Sequence, residues 1–180
     1  MNKTPQQAAL RLLGLLCVAA ALCAAGATAA PQRSEHHAGI AAHLVQSINA
    51  VRAQHGLAPV RPAPSLRLAA LSHTRVQVER GAFTHDSPDG SSFSNRISRF
   101  YGKRGFSQWG VGENLLYGPV GMSPDEALHV WLESPAHRKI MLEPSWRDIG
   151  IVALAVNQAP GEFGGHDVVV ITSDFGIRSR

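Results

Sequence analysis

The last third of the chain carries two Val- and Ile-rich segments separated by a glycine-rich loop. Residues 149–156 and 167–174 are typical of β-strands, and the loop over 157–165 is typical of a hairpin connection. Upstream of this pair, apolar residues recur at helical spacing. Helices that precede a closing antiparallel pair predict an α+β fold, a three-layer α-β-α sandwich with a central, mainly antiparallel sheet.

Periodicity and end signals predict the individual elements. Ser65 is the predicted N-cap of the second helix, and Ser123-Pro-Asp-Glu126 is a capping box that predicts the start of another. A strand over 106–111 is expected to lead into the segment 112–116. The predicted helices cover about 39–55, 65–81, 93–101, 123–134 and 134–142.

The N-terminal segment has the composition of a secretory signal peptide. Lys3 and Arg11 flank a polar start, residues 12–25 are mostly apolar, and Ala27-Thr-Ala29 offers small residues for cleavage. We therefore predict a signal over 1–29, a flexible polar lead-in over 30–38 and one domain over 39–180. The alternative is an uncleaved anchor helix, which requires about 18 consecutive apolar residues.

Removal of the signal changes the cysteine count and the charge. Cys17 and Cys23 both lie in the predicted signal, so the mature chain has no cysteine for a disulfide or a thiolate metal site. Loss of Lys3 and Arg11 from 17 basic residues, against 13 acidic ones, leaves a net charge near +2. We expect no nucleic-acid partner, because such binding requires clustered basic residues. We also expect a secreted or periplasmic protein without stable membrane insertion.

Three short motifs carry the candidate chemistry. They are Phe83-Thr-His-Asp86, Val111-Gly-Glu-Asn-Leu115 and the segment 131–138, which begins with Trp131 and contains His137. Together they resemble the CAP superfamily of cysteine-rich secretory, antigen five and pathogenesis-related proteins, in its secreted bacterial branch with an SCP domain. Alanine-rich, arginine-biased composition also suggests a bacterial source.

The resemblance implies the same three-layer fold and a polar cleft of two His and two Glu. His85, Glu113 and His137 match three of these positions, while the fourth falls on Ser134, with Glu133 beside it. Asn49 and Arg52 match a further family signature, Asn-x-x-Arg, and are interpreted as structural. Trp131 is interpreted as a core residue rather than a ligand platform.

Two classes of function follow from this set. His85 and His137 could hold Zn²⁺, with Glu113 as a third ligand or as a base for bound water. The first hypothesis is a non-enzymatic module that binds a divalent metal, an extracellular ligand (lipid, envelope component or protein) or both. The alternative is a metal-dependent hydrolase with Glu113 as general base, and a purely structural role for the set also remains open. No Gly-x-Ser-x-Gly or His-Glu-x-x-His motif is present.

Overall fold

Two neighbouring antiparallel strands form the centre of the sheet, as the C-terminal sequence pattern predicts. The computed structural model describes residues 34–180. Its helices are α1 (Ala38–Gln54), α2 (Pro64–Arg80), α3 (Phe93–Ser98), α4 (Pro124–Glu133) and α5 (Pro135–Met141), with a 3₁₀ turn at Gly161–Phe163. Its strands are β1 (Ser34–His36), β2 (Arg61–Pro62), β3 (Gln108–Pro119), β4 (Asp148–Val156) and β5 (Val168–Ser179). The signal predicted over 1–29 lies outside the described residues.

The sheet has the order β1-β4-β5-β3, and β2 pairs with β4. The β3–β5 and β4–β5 pairs are antiparallel, whereas β2 runs parallel to β4. Strand β3 therefore lies at one edge of the sheet, next to β5 only. This edge is where the motifs around residues 85, 113 and 137 come together.

The two faces of the sheet are covered by different helices. Ile149 and Ile151 of β4 pack in a core cluster with Leu44 of α1 and Trp131 of α4. The alternate residue Val152 packs in a second cluster that contains residues of α2. Because successive side chains of a strand point to opposite faces, this division gives three layers. The predicted α+β sandwich is confirmed.

All five predicted helices are present, but one end signal differs from the prediction. The capping box at Ser123 and Glu126 is confirmed, since each residue bonds the other's backbone N–H. Ser65 is not an N-cap, because α2 begins one residue earlier and Ala63 occupies the cap position. Pro64 is the first helical residue, a position that needs no N–H donor and suits its fixed φ.

The strand expected over 106–111 is instead the strand 108–119, so Glu113 lies within β3 rather than after its end. The pairing partner β5 extends to Ser179, and its twelve registered pairs with β3 account for the greater length. Of the lead-in predicted over 30–38, residues 34–36 pair with β4 and residue 38 begins α1, while residues 30–33 lie outside the described part of the chain. The free edge of β4 provides that pairing, and the His37 N–H donates to the Ala153 carbonyl at 3.0 Å.

Three interpretations of individual side chains are confirmed. Asn49 exchanges two hydrogen bonds with the backbone of Val60, at 2.9 and 2.8 Å. Arg52 is fully buried and donates to backbone carbonyls, including that of Met141 at 2.7 Å, which ties α1 to the end of α5. Trp131 is also fully buried, and its indole N–H donates to the Leu115 carbonyl at 3.2 Å.

Candidate functional site

His85 lies on the loop that follows α2. The helix ends at Gly81, whose φ of 63° is in the left-handed region. A Cβ there would come within 2.7 Å of the backbone of Pro160, so both the conformation and the space favour glycine. The chain then turns back over the sheet, and the His85 Nδ1 meets the Glu113 Oε1 at 2.8 Å.

Glu113 is held from two sides. Its side chain is inaccessible to solvent, whereas half of the His85 side-chain surface is exposed. Its second oxygen accepts a hydrogen bond from Arg96 of α3. Arg96 also donates to the His85 carbonyl at 2.8 Å, so a single guanidinium positions both the Glu113 carboxylate and the loop that carries His85.

Asp174 lies directly across from Glu113 in the β3–β5 register. It is fully buried, and burial, followed by the charge of Glu113, raises its pKa well above the usual range. No group in residues 34–180 donates a hydrogen bond to either of its oxygens. A carboxyl that lacks donors is most stable as the neutral acid, which can itself donate to Glu113. Below that raised pKa, Asp174 therefore adds no charge beside the Glu113–Arg96 ion pair.

His137 lies in the first turn of α5 and approaches the edge strand from the other face. The side chain next to Glu113, that of Asn114, donates to the His137 carbonyl at 3.0 Å. Burial, and then the charge of His85, lowers the pKa of His137. Its Nδ1 is buried and has no hydrogen-bond partner within the described part of the chain. The two histidines thus come close at the edge of β3, and His137 is neutral at pH 7.

The other two predicted positions do not join this arrangement. Glu133 is the last residue of α4, is exposed, and makes no hydrogen bond or ion pair to a described residue. Ser134 links α4 to α5 without a side-chain capping bond. The structure therefore joins His85, Glu113, Arg96 and Asp174 in one group, and His137 approaches the same edge strand from the other face.

A scan of the sequence against known families matches residues 45–171 to the cysteine-rich secretory protein family, CAP. The match covers most of the chain. This protein belongs to the CAP family. No helix in residues 34–180 is long and apolar enough to cross a bilayer.

The chain is also similar to individual bacterial proteins and solved structures. The uncharacterized protein YkwD of Bacillus subtilis is 30% identical over 108 residues, which are 60% of this chain and 40% of YkwD. An outer surface protein of Borrelia burgdorferi has a TM-score of 0.66 at 20% identity, over 82% of this chain and 99% of that one. An extracellular SCP-domain protein of Bacillus anthracis has a TM-score of 0.58 at 24% identity, over 79% and 41% of the two chains. The chain thus spans less than half of the length of YkwD.

Two members of this CAP site were missed from the sequence. Asp174 carries a signal in retrospect, because it is an acidic residue within an otherwise uncharged run, 168–177, which is buried throughout. A carboxylate in a fully buried strand requires a partner or a proton. Arg96 carries no such signal, because nothing in its spacing distinguishes it from Arg99 or Arg104.

The donor set limits how a metal could bind. No group of three or more His, Cys, Asp or Glu side chains within 34–180 is arranged to hold a metal ion. Both Glu113 oxygens are already engaged, by His85 and Arg96. The residues therefore fit a site with two imidazole ligands, His85 and His137, in which Glu113 orients His85 instead of acting as a third ligand. A carboxylate on the second ring nitrogen is the usual support of a metal-bound histidine.

Proposed function

We propose that this CAP protein is exported and acts outside the cytoplasm as a non-enzymatic binding module. Its ligand site is formed by His85 and His137, which bind a divalent cation such as Zn²⁺ and leave the other coordination positions to water or to donors of an extracellular ligand. The observation that carries this proposal is the chain of contacts from Arg96 through Glu113 to His85. It occupies the Nδ1 of His85 and leaves Nε2 as the free nitrogen of a half-exposed ring.

The chemistry of the two histidines supports metal binding. A neutral imidazole is the form that binds Zn²⁺, and the lowered pKa of His137 keeps it neutral at pH 7. Nδ1 of His137 is a buried nitrogen that lacks a protein partner in the described residues. Zn²⁺ at this place would polarise a bound donor group of the ligand.

The hydrolase alternative has less support. A general base must reach the proton that it abstracts. The Glu113 carboxylate is inaccessible to solvent and is held by His85 and Arg96, so bound water has no open approach to its oxygens. Glu133, the other candidate carboxylate, lies outside the cluster. The arrangement therefore favours binding over catalysis.

Export is supported by the signal-like composition of residues 1–29. Two proteins of the same fold are named as an outer surface protein and an extracellular protein, respectively. The absence of cysteine after residue 29 means that the domain needs no oxidising compartment to fold.

Calorimetric titration with ZnCl₂ tests the proposal. We expect binding at pH 7.5, weaker binding at pH 5.5 because imidazole ligands must lose their protons, and no binding after combined His85→Ala and His137→Ala substitution. His129→Ala is the matched control, because His129 is an exposed histidine of α4 away from the cluster. Zinc affinity that survives the double substitution, or that is lost in the control, would refute the proposed metal site.

A further inference from the structure

A pocket lies behind Arg96, between α2, the loop over 81–92 and the end of α3. It has a volume of about 310 Å³ and is lined by polar side chains together with the apolar residues Val76, Pro88 and Phe100. Its main lining residues are Ser72, His73, Ser87, Asp89, Arg99 and Phe100. Neither His85 nor His137 lines it, so it is separate from the proposed metal site. We call it the α2–α3 pocket.

The charges around the α2–α3 pocket cancel. Arg96 is paired with Glu113, and Arg99 donates to Asp89 at 3.2 Å. Hydrogen bonds from Ser91, together with Arg99, lower the pKa of Asp89 to about 2, so this pair is fully ionised. Burial lowers the pKa of His73, which is therefore neutral at pH 7. A pocket without net charge favours a neutral ligand over a phosphate or a cation.

The walls present both donors and acceptors. The His73 Nε2 lies 2.8 Å from the Thr84 carbonyl, which can only accept, so Nε2 carries the proton and Nδ1 is an acceptor. Nδ1 of His73, the Ser87 hydroxyl and Nε of Arg96 are all buried and lack a partner in the described chain. Buried polar atoms of this kind require a hydrogen-bond partner from water or from a ligand. Hydroxyl groups match such a mixed set, because each one can both donate and accept.

Phe100 adds an apolar surface at the mouth of the pocket. Phe100 is 37% exposed, so part of its ring is open to a ligand. A pyranose ring has hydroxyl groups at its edge and C–H groups on its face, and the C–H face packs on an aromatic ring. The volume lies at the small end of the range for ligand sites, roughly 300–1,000 Å³, and suits one sugar residue rather than a longer chain.

We propose that the α2–α3 pocket binds a single neutral sugar residue, such as the terminus of a glycan. Phe100 packs on the C–H face, the Asp89–Arg99 pair contacts the outer hydroxyls, and Ser87 and His73 bond the inner ones. This site goes beyond the proposed function, since it requires neither the metal nor export.

Saturation-transfer NMR on the purified protein tests the proposal. The probes are the methyl glycosides of glucose, galactose, mannose and N-acetylglucosamine. Glucuronate and inorganic phosphate are tested beside them as anionic comparison ligands. We expect at least one neutral glycoside to bind and neither anion to bind more tightly. Ser87→Ala and Phe100→Ala should each weaken binding of that glycoside by roughly fivefold or more. A loss of about fivefold corresponds to one ordinary hydrogen bond or to an apolar contact of similar strength.

Matched controls separate the pocket from the rest of the surface. Ser98→Ala removes a hydroxyl of α3, and Leu68→Ala removes an exposed apolar side chain of α2 that does not line the pocket. Both should bind the sugar as the wild type does. Thermal midpoints report folding, and Ser87→Ala should retain its midpoint because the hydroxyl has no protein partner to lose among the described residues. Zinc titration of Phe100→Ala should be unchanged, which distinguishes a failure here from a failure of the metal site.

Three results would overturn the proposal. The first is the absence of saturation transfer to every neutral glycoside. The second is tighter binding of glucuronate or phosphate, which would make this an anion site. The third is sugar binding that is indifferent to both Ser87→Ala and Phe100→Ala.

Discussion

Replacement of Asp174 by asparagine should remove the pH dependence of stability that this carboxyl imposes. Asp174 is fully buried beside Glu113, and burial raises its pKa well above the unfolded value of about 3.9. The folded protein therefore retains a proton that the unfolded chain releases as the pH rises through 4. The contribution of Asp174 to stability is complete below pH 4 and declines by about 1.4 kcal/mol per pH unit until the folded-state pKa is reached.

Asparagine has the shape of the neutral acid, and its amide can donate to Glu113 in the same way. The test is the free energy of unfolding in urea at pH 4.5, 5.5 and 6.5. Tryptophan fluorescence monitors the unfolding, because Trp131 is fully buried in the folded protein. Stability of Asp174→Asn relative to wild type should rise by about 1.4 kcal/mol with each pH unit until the folded-state pKa of Asp174 is reached. The lowered pKa values of His73 and His137 reduce stability as the pH falls below about 6.5, but they act in both proteins and cancel in the difference.

The control is Asp86→Asn, which removes an exposed carboxylate from the loop that carries His85. Its stability should run parallel to that of the wild type over the same range. Parallel curves for Asp174→Asn as well would mean that Asp174 is ionised in the fold, and the reasoning that this carboxyl is neutral there would be wrong.

Three further predictions concern the buried cation, the sheet and the N-terminus. Arg96→Met should lower the free energy of unfolding by about 3–5 kcal/mol in urea titrations, because Glu113 is left buried without its cation; a loss below about 1 kcal/mol would contradict this. Gly150→Ala should lower the thermal midpoint markedly, because the new Cβ would collide with the backbone N of Arg67, whereas Gly39→Ala meets no atom within 4 Å and should not. Mass spectrometry of the exported protein should find its N-terminus near residue 30, and an intact Met1 on exported protein would exclude cleavage.

Local sequence patterns were sufficient to predict much of the fold. The capping box at Ser123 and Glu126 satisfies backbone groups within four residues, so it forms wherever the segment lies. The Val/Ile alternation of β4 likewise reports the two faces on which its side chains are buried. The length of β3 was underestimated because its residues 112–119 contain two glycines and a proline, and only pairing with β5 determines that they are extended.

The site was predictable only in part for the same reason. The motif resemblance brought His85, Glu113 and His137 together as candidates. The roles of these residues depend on contacts between distant segments, such as Arg96 to Glu113 and Glu113 across to Asp174, separated by 17 and 61 positions. Sequence spacing does not report such contacts. Glu113 was accordingly interpreted as a ligand or base, although the structure engages both of its oxygens with protein groups.

Two histidines of the same chain show why the Glu113 network indicates more than packing. His73 is 1% exposed and its Nε2 bonds a neutral backbone carbonyl, an arrangement that involves no charged partner. His85 is bonded to an ionised carboxylate, which is itself bonded to a buried arginine, yet half of its side-chain surface faces solvent. Burial of the Arg96–Glu113 pair costs desolvation energy that an apolar contact would avoid. What this cost secures is the orientation of one half-exposed imidazole, with Nδ1 fixed on Glu113, and this supports the proposal that Nε2 binds a ligand.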